Sequence, residues 1–152
     1  MTSESSGGAD SAAPRAVLAG HADFAAGMAS AIAQISGRAD AFVLMTNRGC
    51  SAEEIEARLR SALDEQRLRV VFTDLPAGSC TLAARRLQRE RPDLVLVTGA
   101  NLAALLDFVF AAEGTDDDAA AAAAHAAAHA AEKGRAALAV AARPSAGARG
   151  AA

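Results

Sequence analysis

Residues 17–28 read VLAGHADFAAGM, and the way this stretch breaks decides the fold. Ala16–Ala19 are small and apolar, as a short buried strand requires, and Gly20 and His21 then interrupt the run. From Phe24 onward the apolar residues recur at helical spacing. Phe24, Met28, Ala31, Ile32 and Ile35 share one face, and Gly37 fits the stop. A buried strand that passes through a polar junction into an amphipathic helix is the opening of a β-α-β unit, and the same alternation recurs downstream. AFVLMT (41–46) is a continuous apolar run of strand length, as expected when both faces are covered. Ser51 and Glu54 have the spacing of a capping box, Ile55, Leu59 and Leu63 line one face of a second helix, and Glu54/Arg58 and Glu56/Arg60 suit its wet side. RVVFTD (69–74) predicts a third strand, and LPAGS (75–79) a turn in which Ser79 is placed to cap a third helix through Leu82 and Leu87, ended by Pro92. LVLVTG (94–99) predicts a fourth strand, and Asn101 a cap for a fourth helix along LAALLDFVF (102–110). Such alternation predicts an α/β fold: a doubly wound, mainly parallel four-stranded sheet of order 2-1-3-4 with helices on both faces.

The rest of the chain sets the boundaries. At 152 residues there is room for one domain with a proper core. Residues 1–15 are Ser, Gly, Ala and acid and predict a disordered arm ahead of a domain over 16–142. The alanine-rich segment at about 118–134 has strong helix propensity but little to bury. ALAVAA (137–142) reads as a C-terminal edge strand, exchanged across a homodimer because a fourth strand leaves an open edge, and 143–152 as a flexible tail. A net charge of −3 gives no global argument for nucleic acid or an anionic membrane, so no nucleic-acid partner is expected, and no apolar run is long enough to span a bilayer. The acid-bearing opening does not read as a signal peptide, and Cys50 and Cys80 form no CxxC pair, so a cytoplasmic protein with reduced thiols is expected.

In a doubly wound sheet, ligands bind beyond the carboxyl ends of the strands, where the strand order reverses. With order 2-1-3-4 the reversal lies between strands one and three, so the loops carrying His21, Asp74 and Ser79 face one crevice. A carboxylate that holds one imidazole N–H leaves the other nitrogen nucleophilic, and a helix N-terminus attracts phosphate oxygens. The combination describes a phosphorylatable histidine rather than a hydrolase triad. Each residue also has an ordinary structural use: a solvent-facing His, an Asp ending a strand, a Ser at a cap. His125 and His129 lie four apart and would clip a metal only with a third ligand, so an exposed helical pair is the plainer reading. Arg85, Arg86, Arg89 and Arg91 suit a solvated helix face or a docking rim, and Cys80 either a helix-activated thiol or core packing.

VLAGHADFAAGM, VVFTDLPAGSCTLAA, LVLVTGANLAALLDFVF and AAEKGRAAL follow one another in an order that resembles the IIA domains of the mannose/fructose/N-acetylgalactosamine class of the bacterial sugar phosphotransferase system. The resemblance covers about residues 15–141. It implies that His21 is phosphorylated, on Nε2, by phospho-HPr and passes the group to a IIB component. It also implies that Asp74 orients the ring and that Gly78 and Ser79 contact the phosphoryl group. No metal or organic cofactor is implied, and the membrane is met only through the IIC and IID proteins. Two positions depart from the family's Gly-Gly-Ser/Thr-Pro pattern: Ala77 restricts the backbone more than glycine does, and Cys80 lacks proline's fixed φ. Two alternatives share the chemistry: a regulatory protein whose phosphorylation state controls partner binding, and the related carrier that serves dihydroxyacetone kinase.

Overall fold

Four parallel strands form one sheet: β1 (Ala16–Gly20), β2 (Phe42–Thr46), β3 (Val70–Thr73) and β4 (Val95–Val97), in spatial order β2-β1-β3-β4. Among the described residues five α-helices accompany them: α1 (Phe24–Ser36), α2 (Ala52–Gln66), α3 (Ser79–Glu90), α4 (Leu102–Val109) and α5 (Ala119–Ala137). The structure is a computed structural model and describes residues 13–145. The doubly wound topology expected from the sequence is the observed one.

Alternation along β1 divides the core. Ala16 and Leu18 face α1, α4 and α5, whereas Val17 and Ala19 face α2 and α3, and all four are fully buried. Phe42, Phe72 and Phe108 anchor the first layer, with ring centroids 6.0, 6.0 and 5.0 Å apart. Each buried side chain of this kind contributes roughly 1.5–3 kcal/mol. In the second layer Ile55, Leu59 and Leu63 of α2 and Ala83, Ala84 and Leu87 of α3 close over Val17 and Val71. Two of the three expected caps form. Ser51 Oγ accepts from Glu54 N at 3.1 Å while Glu54 Oε1 accepts from Ser51 N at 2.8 Å, and Asn101 Oδ1 accepts from Ala104 N at 3.0 Å.

Four details differ from the sequence reading. Ile35 and Leu82 point outward, because the buried stripes run through Ala25, Ala29 and Ile32 of α1 and through Ala83, Ala84 and Leu87 of α3. Leu44 is exposed because β2 is an edge strand with one face incompletely covered. Arg15, assigned to the arm, is tied into the fold: its side chain is 8% exposed, its Nη1 donates to Phe108 O at 3.1 Å, and its guanidinium lies 4.9 Å above the Phe108 ring. Finally, α5 packs more closely than propensity alone suggests. Ala126, Ala127, Ala130 and Gly134 are buried, and a Cβ on Gly134 would lie 2.9 Å from Ala104 Cβ. Asn101 Nδ2 locks this contact by donating to Gly134 O at 2.9 Å.

Residues 138–145 follow α5 without regular structure, and Leu138 and Val140 are almost wholly exposed. ALAVAA therefore forms no strand within its own chain. Most of the expected arm (1–12) and of the expected tail (146–152) lies outside the described residues.

Candidate functional site

The register between β1 and β3 pairs Ala19 with Thr73, so the next residue on each strand, Gly20 and Asp74, stands side by side at the carboxyl end of the sheet. His21 follows at the mouth. Its backbone N–H donates to Asp74 Oδ2 at 2.8 Å, and its Nδ1 lies 2.8 Å from the same oxygen. An ionised carboxylate can only accept, so Nδ1 carries the proton, and in the neutral ring Nε2 is the nitrogen with the lone pair. The imidazole side chain is 47% exposed and the Asp74 side chain only 12%. Burial alone would raise the Asp74 carboxyl pKa, but the backbone and ring N–H groups of His21 outweigh it and hold the carboxyl below its ordinary range.

Glycines make this contact possible. A Cβ on Gly20 would fall 2.9 Å from Asp74 Oδ2 and 2.7 Å from Phe24 Cδ1, and a Cβ on Gly78 would fall 3.0 Å from His21 Cε1. The start of α3 therefore abuts the ring. Gly78, in extended conformation, is the N-cap, and Ser79 is the first helical residue. This corrects the expected cap: the N-cap is Gly78, which has no side chain to cap with, and Ser79 stands inside the helix. Its Oγ instead accepts from Asn47 Nδ2 at 3.1 Å. The first α3 backbone bond runs from Leu82 N to Gly78 O at 2.8 Å, which leaves the N–H groups of Ser79, Cys80 and Thr81 without an intrahelical acceptor.

The surrounding loops are braced. Thr81 Oγ1 donates to Leu75 O and meets Thr73 Oγ1, each at 2.6 Å, which fixes the turn between β3 and α3. Thr46 Oγ1 donates to Ala22 O at 2.8 Å across the mouth. Ala22 itself has φ 47°, a left-handed conformation that costs an alanine roughly 1–2 kcal/mol. Ala77, by contrast, does not have a positive φ, and the close approach to the ring falls at Gly78. Replacement of the first glycine of the pattern is therefore accommodated. Cys80 is buried, and burial with the nearby Asp74 charge pushes its thiol up to about 11, the direction that suits core packing rather than an activated thiol.

The model of the phosphotransferase system (PTS) fructose IIA component matches residues 15–131. The chain belongs to the mannose/fructose family of IIA components. Its fold is similar to that of a mannose/sorbose-specific IIA subunit from Enterococcus faecalis (TM-score 0.68, 22% identity, covering 88% of this chain and 98% of that one). It is also similar to the EIIA component from Streptococcus agalactiae (TM-score 0.61, 21% identity, 76% and 92% covered). A third similar structure is the IIA protein associated with the fucose utilization operon of Streptococcus pneumoniae (TM-score 0.59, 22% identity, 77% and 90% covered). Comparison with curated protein sequences yields no significant match. As a IIA component the protein is a phosphotransferase of the PTS.

The remaining sequence candidates lie elsewhere on this IIA fold. His129 Nδ1 pairs with Asp107 Oδ2 at 2.8 Å on the outer side of α4 and α5, beside His125 at a centroid distance of 6.5 Å. Among the described residues no group of three His, Cys, Asp or Glu side chains is arranged to hold a metal. Arg85, Arg86 and Arg89 lie on the exposed face of α3, where Arg86 reaches Glu56 at 3.7 Å. Among the described residues no helix is long and apolar enough to cross a membrane. Sequence reading missed Gly20 as a spacing requirement, Asn47 as a site neighbour and the Thr73–Thr81 brace. Only Asn47 carried a usable signal, being a polar residue immediately after a strand at the functional end of the sheet.

Proposed function

We propose that His21 is the phosphoryl carrier of this cytoplasmic IIA component, accepting from phospho-HPr and passing the group to a IIB component. The observation that carries the reading is the placement of Nδ1 on Asp74, which leaves Nε2 as the free nitrogen beside the start of α3. The Nε2 lone pair attacks phosphorus as the P–N bond to the donor histidine breaks, and the donor nitrogen leaves with that electron pair. Asp74 keeps the Nδ1–H throughout, so the developing positive charge on the ring lies against a carboxylate. The three free N–H groups at the start of α3, with Gly78 and the Ser79 hydroxyl, receive the phosphoryl oxygens. Onward transfer runs the same steps in reverse, toward the IIB nucleophile.

The test is incubation with enzyme I, HPr and phosphoenolpyruvate, read by intact mass. One acid-labile, base-stable phosphate is expected, lost in His21→Ala with the fold intact, and discharged on addition of a IIB protein. Label that persists in His21→Ala would refute the assignment. Retention of the phosphate in the presence of a competent IIB would favour a purely regulatory role.

We also propose that the protein is a homodimer in which residues 137–142 pair antiparallel along the β4 edge of a second copy. A groove of about 270 Å³ runs beside that edge, lined by Val95, Val97, Thr98, Ala128 and Ala131, and Leu138 and Val140 are apolar and uncovered. Deleting residues 136–152 should give a monomer or an aggregating species at micromolar concentration by sedimentation. A clean dimer from the truncated chain would exclude the exchange.

A further inference from the structure

We infer that Asn47 is a positioning residue for phosphoryl transfer, holding the Ser79 hydroxyl by its oxygen so that the hydroxyl proton is left for the phosphoryl group on His21. The inference rests on the His21 reading above. Asn47 is placed by the sheet rather than by a loose loop. Its backbone N–H donates to Gly20 O at 3.1 Å, one residue beyond the β1–β2 register that pairs Gly20 with Thr46. Its own carbonyl accepts from Cys50 N at 3.1 Å, so both sides of the residue are fixed. From there Nδ2 reaches Ser79 Oγ at 3.1 Å across 32 residues of sequence. The third strand end of the crevice thereby contributes to a site otherwise built from the loops after β1 and β3.

The direction of that bond matters. A serine hydroxyl has one proton to give and two lone pairs to receive with. An amide N–H donating into one lone pair leaves the proton uncommitted. Ser79 is not the helix cap, so the helix end does not claim the hydroxyl either. The proton then joins the free N–H groups of α3 as a donor toward an incoming phosphoryl group. A carboxylate in place of the amide would reverse this arrangement. It can only accept, so it would take the Ser79 proton for itself, and it would set a negative charge beside a group that carries nearly two.

Phosphoryl transfer from phospho-HPr through the protein to a IIB acceptor at steady state, together with single-turnover uptake on the protein itself, tests the inference in four variants. Asn47→Ala should lower kcat roughly five-fold, the worth of one positioning hydrogen bond, with KM for phospho-HPr unchanged. Asn47→Asp, which keeps the side-chain shape, should lower kcat by a further factor of about ten. In a Ser79→Ala background, Asn47→Ala should change kcat by less than about two-fold, because the hydroxyl it positions is gone. A wild-type kcat in both single variants overturns the inference, and so does an Asn47→Ala loss that persists in full in the Ser79→Ala background. Loss confined to KM would also overturn it. If wild-type protein carries no phosphate on His21, the carrier reading and this inference fall together. If His21 is labelled and the Asn47 variants match wild type, only this inference falls.

Discussion

Among the described residues two histidine–aspartate pairs share the same 2.8 Å Nδ1-to-Oδ2 distance, and they are not equivalent. His21–Asp74 joins two loops at the carboxyl end of a parallel sheet, whereas His129–Asp107 joins the sides of two helices. Asp74 accepts from the His21 backbone as well as from its ring, and its side chain is less exposed than that of Asp107, 12% against 20%. Beside His21 stand a glycine and the free N–H groups of a helix start; His129 has another imidazole and an alanine surface. A paired imidazole is thus common geometry. On the proposed reading, what separates a phosphoryl acceptor from a surface histidine–aspartate pair is the array of donors that would receive the phosphoryl oxygens.

Removing charge from one aspartate at a time gives the largest expected difference between the pairs. Asp74→Asn should slow phosphoryl uptake on the order of 10²-fold or more, because the amide neither enforces the tautomer nor offsets charge on the ring. Quench-flow labelling from phospho-HPr measures it, and a wild-type rate would end the orienting role. The same substitution has a signature in acid. The Asp74 carboxyl is held below its ordinary range in the folded state, so its contribution to stability is present above the ordinary carboxyl pKa and is lost as pH falls through the lowered value. Denaturation profiles below about pH 4 should therefore be shallower for Asp74→Asn than for wild type. Equal slopes would show that Asp74 adds nothing to acid sensitivity.

The two pairs also differ in how far they could be foreseen. Strand–helix alternation placed His21, Asp74 and Ser79 at one crevice, since parallel topology carries the loops of β1 and β3 to the same end. The capping residues Ser51 and Asn101 were legible for the same kind of reason, as their partners lie three residues away in sequence. Contacts between distant segments were not. Nothing in an alanine-rich stretch announces that Gly134 meets Asn101 or that His129 meets Asp107, because those pairings depend on the angle at which α5 crosses α4. Ser79 was misread by one position for a related reason. The cap had to be the residue without a Cβ where the imidazole presses, and that pressure comes from His21, far away in sequence.

Glycine substitutions sharpen the comparison at intermediate size. Gly20→Ala would drive a methyl toward Asp74 and Phe24, and overpacking of this kind costs about 1–3 kcal/mol. Because the displaced group is the carboxylate that holds His21, phosphoryl uptake should fall together with thermal stability. Gly134→Ala meets an equally close neighbour in Ala104 Cβ at 2.9 Å, but far from the reacting nitrogen. The overpacking cost there is partly offset by about 1 kcal/mol of helix propensity, so a net loss of about 1 kcal/mol is expected with labelling of His21 unchanged. Equal labelling defects in the two variants would mean that the site senses the α4–α5 contact, contrary to the separation argued above.

The smallest effect is expected at the surface pair itself. The His129 side chain is 53% exposed, and exposed ion pairs are screened by water and opposed by side-chain entropy. Asp107→Asn or His129→Ala should therefore shift stability by no more than about 1 kcal/mol, and their double-mutant coupling should lie in the same small range. Neither should alter the rate or the stoichiometry of phosphoryl uptake, because this pair lies on the sides of α4 and α5, away from the crevice that holds His21. Chemical denaturation combined with intact mass after phosphorylation reads both quantities in one set of variants. A second phosphate on wild-type protein that disappears in His129→Ala would break the comparison, since it would show that a carboxylate-held imidazole suffices without the donors that surround His21.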